Sequence, residues 1–171
     1  SHLTQKEVFP YVEWAINLRI IATRCDFLQI HAASMVYQSN GFVFPGVSGC
    51  GKSTLAAGLL SHGWKYLCDE FALIGTNDFQ LHPFAKALCV KAGAFRAVRQ
   101  LGLPMSKRIH YIKARKGRVA YVSPKELNPR CLAESAPIRF VIFPEYVAGQ
   151  QPRLDPLSRP RALMHLTACV F

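Results

Sequence analysis

The sequence predicts an α/β fold: a single unit over residues 1–171, with a central mixed sheet and its functional core at about residues 27–100. Three observations predict it. Two β-rich runs, "FLQIHAASMVYQ" from Phe27 and "FVFPG" from Phe42, are joined by a short turn. The second run leads into the glycine-rich stretch "PGVSGCG", Pro45–Gly51, after which the apolar spacing becomes helical. A further short run, "WKYL" from Trp64, reads as a buried strand, so that strand, loop, helix and strand follow one another as in α/β chains.

Taken in order, Val8 to Ile21 carries apolar residues at mixed spacing that suits either a strand or a helix. The turn between the first two strands contains Asn40-Gly41, a hairpin signature. From Lys52, "KSTLAAGLLSHG" places Leu55, Ala56, Leu59 and Leu60 on one helical face and stops at Gly63, a residue suited to a left-handed C-cap. "LHPFAKALCVKAGAF" reads as a strand flanked by Pro83 and Gly93, then a short helix around Arg96 to Leu101. The basic stretch Lys107–Arg118 reads as a surface loop or exposed strand pair, "PIRFVIFPEYV" as an apolar strand, and the end of the chain as a helix after a proline-bounded start.

Composition limits the function classes. Half of the 171 residues are hydrophobic, enough for one compact core. A formal charge of +11 favours an anionic partner. Six scattered cysteines without a C-x-x-C pair suit reduced thiols in a cytoplasmic protein rather than a disulfide frame or a zinc site. No apolar run approaches the roughly 18 residues of a membrane span, so no membrane partner is expected.

Gly46-Val47-Ser48-Gly49-Cys50-Gly51-Lys52-Ser53, followed by Thr54, fits G-x-x-x-x-G-K-[ST], with a strand before it and a helix after it. The chemistry explains each residue type. Glycines let backbone N–H groups turn inward on phosphates, and the helix start adds partial positive charge. The lysine reaches the β- and γ-phosphates, and the serine hydroxyl ligates Mg²⁺. The expected ligands are therefore ATP and Mg²⁺. Asp69 and Glu70 follow the helix directly, where a carboxylate can take a proton from an attacking hydroxyl or, as for Asp69 with Ser53, help to hold the metal. Hairpin pairing brings His31 alongside the strand feeding the loop, where it can orient a carboxylate or contact phosphate oxygens.

Other cations are weaker candidates. Lys86 and Lys91 are five apart in a strand-like run and point to opposite faces, so at most one aims at the site; Lys91, near Gly93, is preferred. Arg96 and Arg99, three apart on a short helix, could receive an acidic peptide or a phosphate. In the run Lys107–Arg118 aromatics do not alternate with charges, so neither DNA nor RNA is expected.

Together "LQIHAAS", "GVSGCGKST" and "GWKYLCDE" resemble the catalytic domain of HPr kinase/phosphorylase, a family similar in fold to phosphoenolpyruvate carboxykinases. The order and spacing of His31, Lys52, Ser53, Gly63-Trp64-Lys65 and Asp69-Glu70 match over Phe27 to about Ile74. The resemblance implies phosphoryl transfer from ATP to a Ser or Thr hydroxyl. Lys52 would stabilise phosphates, Ser53 hold Mg²⁺, Asp69 or Glu70 act as base and His31 support that carboxylate. The family's later E-x-R-G-x-G signature has no counterpart, and the second acid is Glu70 rather than aspartate. The chain is in this respect more similar to HPr-kinase-related proteins that phosphorylate ribosomal peptide precursors such as lasso peptides. Relatives of this kind can be hexameric, so the resemblance admits a homo-oligomer. Two other readings stay open: a small-molecule kinase of the adenylylsulfate-kinase type, and an ATP-binding or ATPase module with no phosphoryl acceptor.

Overall fold

The computed structural model describes residues 4–113 and 116–171; within the basic run 107–118, residues 114 and 115 lie outside this range. Helix α1 spans Gln5–Thr23, which resolves the mixed apolar spacing of that region. Its start is fixed by Glu7, whose carboxylate accepts hydrogen bonds from the Thr4 backbone N–H at 2.9 Å and the Thr4 hydroxyl at 2.6 Å. The apolar spacing is mixed because polar side chains, Glu13 and Asn17, face inward from α1.

Strands β1 (Phe27–Tyr37) and β2 (Asn40–Pro45) form the expected hairpin, with Tyr37 opposite Asn40. The turn is displaced from the expected Asn40-Gly41 to Gln38-Ser39, with φ of +47° and +61°; two-residue hairpin turns of this twist need positive φ at both positions. Gly41 instead lies within β2, where a Cβ would sit 2.8 Å from both Leu81 Cδ1 and the Pro137 carbonyl oxygen. The glycine is needed for close packing, not for the turn.

Beyond the glycine loop come α2 (Lys52–Ser61), β3 (Lys65–Cys68), β4 (Phe71–Gly75) and β5 (Gln80–His82). They are followed by β6 (Leu88–Lys91), α3 (Phe95–Gln100), β7 (Tyr111–Lys113) and β8 (Gly117–Val122). The chain ends with α4 (Pro124–Leu127), β9 (Ala136–Val141) and α5 (Arg159–Thr167). The strand expected between Pro83 and Gly93 is confined to β6, and Lys86 lies in the irregular segment before it.

The main sheet has the order β2-β9-β5-β4-β1-β3, and β1 also pairs with β2. It is mixed, as expected, because β2 and β9 run parallel while the other pairs are antiparallel. A second antiparallel sheet, β6-β8-β7, contains the strand pair that the basic run allowed, β7 with β8, and adds β6, whose place beside β8 was not foreseen. Strand parity sets the layers: Ala33, Met35 and Phe44 face α2, while Ala32, Val36 and Val43 pack on the opposite side. Ala56, Ala57 and Leu60 are buried in the first cluster with Leu88, Val90, Ala120 and Val122 of the second sheet, so α2 lies between two sheets. Leu55 and Leu59 are only half-buried. Among the described residues no helix is long and apolar enough to cross a membrane.

Candidate active site

The site begins where β2 delivers the chain into the glycine loop. Gly49 and Gly51 adopt φ of +107° and +105°, a region that favours glycine, and the turn ends at the start of α2. Val47, Ser48 and Gly49 are exposed, whereas Gly46, Cys50 and Gly51 are half-buried. Lys52 opens the helix and is buried, its ammonium donating to the carbonyls of Gly46 and of Val47, the latter at 3.0 Å. Ser53 and Thr54 are half-buried in the first helical turn.

Asp69 and Glu70 occupy the two-residue bend between β3 and β4. Both flanking strands are fixed on β1: Ser34 pairs with Cys68 and His31 with Phe71, and the Ser34 hydroxyl donates to the Phe71 carbonyl at 3.3 Å. The backbone N–H groups of Glu70 and Phe71 both donate to Cys68 Sγ at 3.4 Å. Burial pushes the Cys68 thiol up to about 11, so this sulfur stays protonated at neutral pH. The acids are therefore held by sheet geometry rather than by a free loop.

The two carboxyls have different environments. Asp69 is 5% exposed and its Oδ1 has no hydrogen-bond partner. Burial is the main reason that its carboxyl is pushed up to about 7; neighbouring Glu70 adds to this, while Ser53, Lys86 and Lys52 oppose it. Glu70 is also largely enclosed, but Lys86 lies 3.7 Å from its Oε2 and Lys116 3.7 Å from its Oε1. Burial raises the Glu70 carboxyl; the surrounding lysines, with His31, outweigh it and hold the group below the ordinary range. His31 is half-buried, and burial together with Lys52 brings its imidazole down to about 4 against the pull of Glu70. At neutral pH His31 is uncharged, able to donate or accept one hydrogen bond at each ring nitrogen.

The sequence candidates thus divide. His31, Lys52, Ser53, Asp69 and Glu70 lie together at one end of the sheet. Lys91 reaches the loop from β6, donating to the Ser48 hydroxyl at 2.9 Å. The expectation that at most one of Lys86 and Lys91 turns to this region is corrected. Lys86 precedes the regular strand, so strand parity does not apply to it, and it faces Glu70 while Lys91 faces the loop. Arg96 and Arg99 are exposed on α3; among the described residues neither is ion-paired or hydrogen-bonded to the loop or the acids.

Three more residues were missed. Glu13 of α1 accepts from Lys86 at 2.5 Å, Lys113 at 2.5 Å and the Tyr121 hydroxyl at 2.9 Å. Lys113 and Lys116, assigned by the sequence to a solvated basic stretch, turn inward to Glu13 and Glu70. The signal for Glu13 was an acid and an amide four residues apart, Glu13 and Asn17, inside an apolar helical run.

The residues fit a magnesium ion. The Asp69 carboxylate offers a buried oxygen without a partner, and the Ser53 hydroxyl is beside it. Among the described residues no group of three or more His, Cys, Asp or Glu side chains forms an all-protein metal cage. Mg²⁺ commonly takes one or two protein oxygens and completes its shell with phosphate and water.

No family model matches the chain, and no curated protein matches it. Among solved structures, the HPr(Ser) kinase/phosphatase from Coxiella burnetii aligns with a TM-score of 0.40 at 19% identity, covering 76% of this chain and 72% of that one. At that distance the likeness carries no argument about chemistry, and the functional reading rests on the residues.

Proposed function

We propose that this protein is an ATP-dependent phosphotransferase that delivers the γ-phosphoryl group to a Ser or Thr hydroxyl of a peptide or protein. One observation carries the reading: a glycine loop with its lysine lies beside a buried acid pair in which one carboxylate oxygen, Asp69 Oδ1, has no partner. Phosphoryl transfer requires positioning and charge neutralisation more than covalent participation by the protein. The loop's N–H groups and the start of α2 would receive the phosphate chain, and Lys52 would exchange the Gly46 and Val47 carbonyls for phosphate oxygens. Magnesium, held by Ser53 and Asp69, would supply charge neutralisation to the phosphate chain. Lys91, already on the loop, would add a cation at the phosphate end.

Of the two acids, Asp69 has the free oxygen, Oδ1, which would accept the proton of the attacking hydroxyl and leave the second carboxylate oxygen to Mg²⁺ beside Ser53. Both oxygens of Glu70 are ion-paired, so it serves as an anchor for Lys86 and Lys116. Neutral His31 would bridge to Glu70 or to the acceptor.

The test is incubation with γ-labelled ATP, Mg²⁺ and a pool of Ser- and Thr-containing peptides, following label on peptide and on free phosphate separately. Label on a hydroxyl is the expected result. Label on a small acceptor would move the reading to a small-molecule kinase, and free phosphate alone would leave an ATPase.

A further inference from the structure

Behind the lysines paired with Glu70 lies a further layer of charge, on α1, that the reading above does not use. Lys86 is 16% exposed, rests over the Phe71 ring at 5.9 Å, and lies between two carboxylates. Glu13 binds it at 2.5 Å, Asn17 Oδ1 accepts from it at 3.4 Å, and Glu70 is 3.7 Å away. Glu13 and Asn17 are one turn apart on α1, so a single helix face holds the ammonium that Glu70 also approaches. Glu13 is itself enclosed, 12% exposed, and converges on three donors, Lys86, Lys113 and Tyr121.

We propose that Glu13, assisted by Asn17, is a positioning residue that holds the Lys86 ammonium against Glu70 and so fixes the Glu70 carboxylate beside Asp69. The assignment rests on the phosphotransferase reading for its kinetic consequence, but its geometric content is independent of it. The logic is one of constraint. A lysine has four rotatable bonds and, freed, would spread over many rotamers; two acceptors on a rigid helix remove that freedom. Glu70, clamped at Oε2 by an anchored lysine and at Oε1 by Lys116, has one orientation. Helix α1, remote in sequence from the glycine loop, thereby becomes part of the site.

Glu13→Gln keeps the shape and one acceptor while removing the charge that the lysines require. Expected is a loss in kcat of roughly tenfold with KM for ATP within about twofold, because the glycine loop is untouched; outer-shell partners typically contribute on this scale. Lys86→Met should lower kcat comparably, and Glu13→Gln combined with Lys86→Met should be no slower than Lys86→Met alone, since both changes break one chain of contacts. A strictly structural Glu13 would instead give effects that multiply, or a kcat equal to wild type; either result overturns the proposal.

A second measurement is free of the activity. In ¹H–¹⁵N spectra of lysine side chains, the Lys86 ammonium, assigned by its disappearance in Lys86→Met, should be observable in the intact protein and broadened away in Glu13→Gln. An unchanged Lys86 signal in Glu13→Gln sinks the proposal. If the wild-type protein transfers no phosphate to any acceptor, the phosphotransferase reading fails while this spectrum still decides the role of Glu13.

Discussion

At the scale of single residues, the proposed reading separates binding from transfer. Lys52→Ala removes the cation that the loop carbonyls now hold, so nucleotide binding and transfer should both weaken. Asp69→Asn removes the proposed proton acceptor and should lower kcat by about 10²–10⁴-fold with nucleotide binding nearly intact, as measured by ATP titration beside turnover. Glu70→Gln should cost less than Asp69→Asn, because Glu70 acts through the lysines; equal losses would return the base to an unassigned carboxylate. Glu13 makes a separate prediction about stability. Its burial would raise the carboxyl, but Lys86 and Lys113 bring it down from 4.5 to about 2. A carboxyl lower in the folded than in the unfolded state contributes stability above its unfolded value, and that stability is lost as pH falls through the folded value. Between pH 4.5 and 2 the wild type should therefore lose about 3 kcal/mol more than Glu13→Gln does, read from urea unfolding at each pH. Parallel pH profiles for the two proteins would show that the Glu13 charge makes no net contribution.

At the scale of elements, the hairpin shows what local sequence decides and what it leaves to packing. The strands and the loop after β2 were legible because strand alternation and the glycine–lysine spacing are local properties. The turn was not, because Asn40-Gly41 satisfies two demands at once, a turn or a tight packing position, and only the arrival of β9 and Leu81 selects the second. Two consequences can be measured. Gln38 and Ser39 hold positive φ without being glycine or asparagine, so Gln38→Asn with Ser39→Gly should stabilise the fold by about 1 kcal/mol. Gly41→Ala should destabilise by about 1–3 kcal/mol, since its Cβ meets a backbone carbonyl that cannot rotate away. Thermal unfolding of the two variants checks both; the opposite signs would restore Asn40-Gly41 as the turn. Helix α1 was ambiguous for a related reason. Its inward positions include half-buried Glu13 and buried Asn17, and a polar inward face leaves no clean apolar period to read.

At the scale of the whole molecule, part of the charge of +11 acquires a location. Lys52, Lys86, Lys91, Lys113 and Lys116 are drawn to the region of Glu13, Asp69 and Glu70 by contacts between residues far apart in the chain. Composition indicated an anionic partner but could not indicate where it binds, because the folding of β6, β7 and β8 over α2 brings these lysines together. The resulting field should steer a polyanion such as ATP into the loop. Its association rate constant should then fall several-fold as salt rises from about 0.05 M to about 0.5 M, as the Debye length contracts from roughly 14 Å to roughly 4 Å. The location is tested by two variants that change the net charge equally. Lys91→Gln removes a cation that lies on the loop, whereas Arg153→Gln removes one that is 77% exposed and already paired with Asp155. Stopped-flow binding of a fluorescent ATP analogue should show a slower association and a shallower salt dependence for Lys91→Gln only. Equal changes in the two variants would mean that total charge, not the lysine cluster around the acid pair, governs encounter.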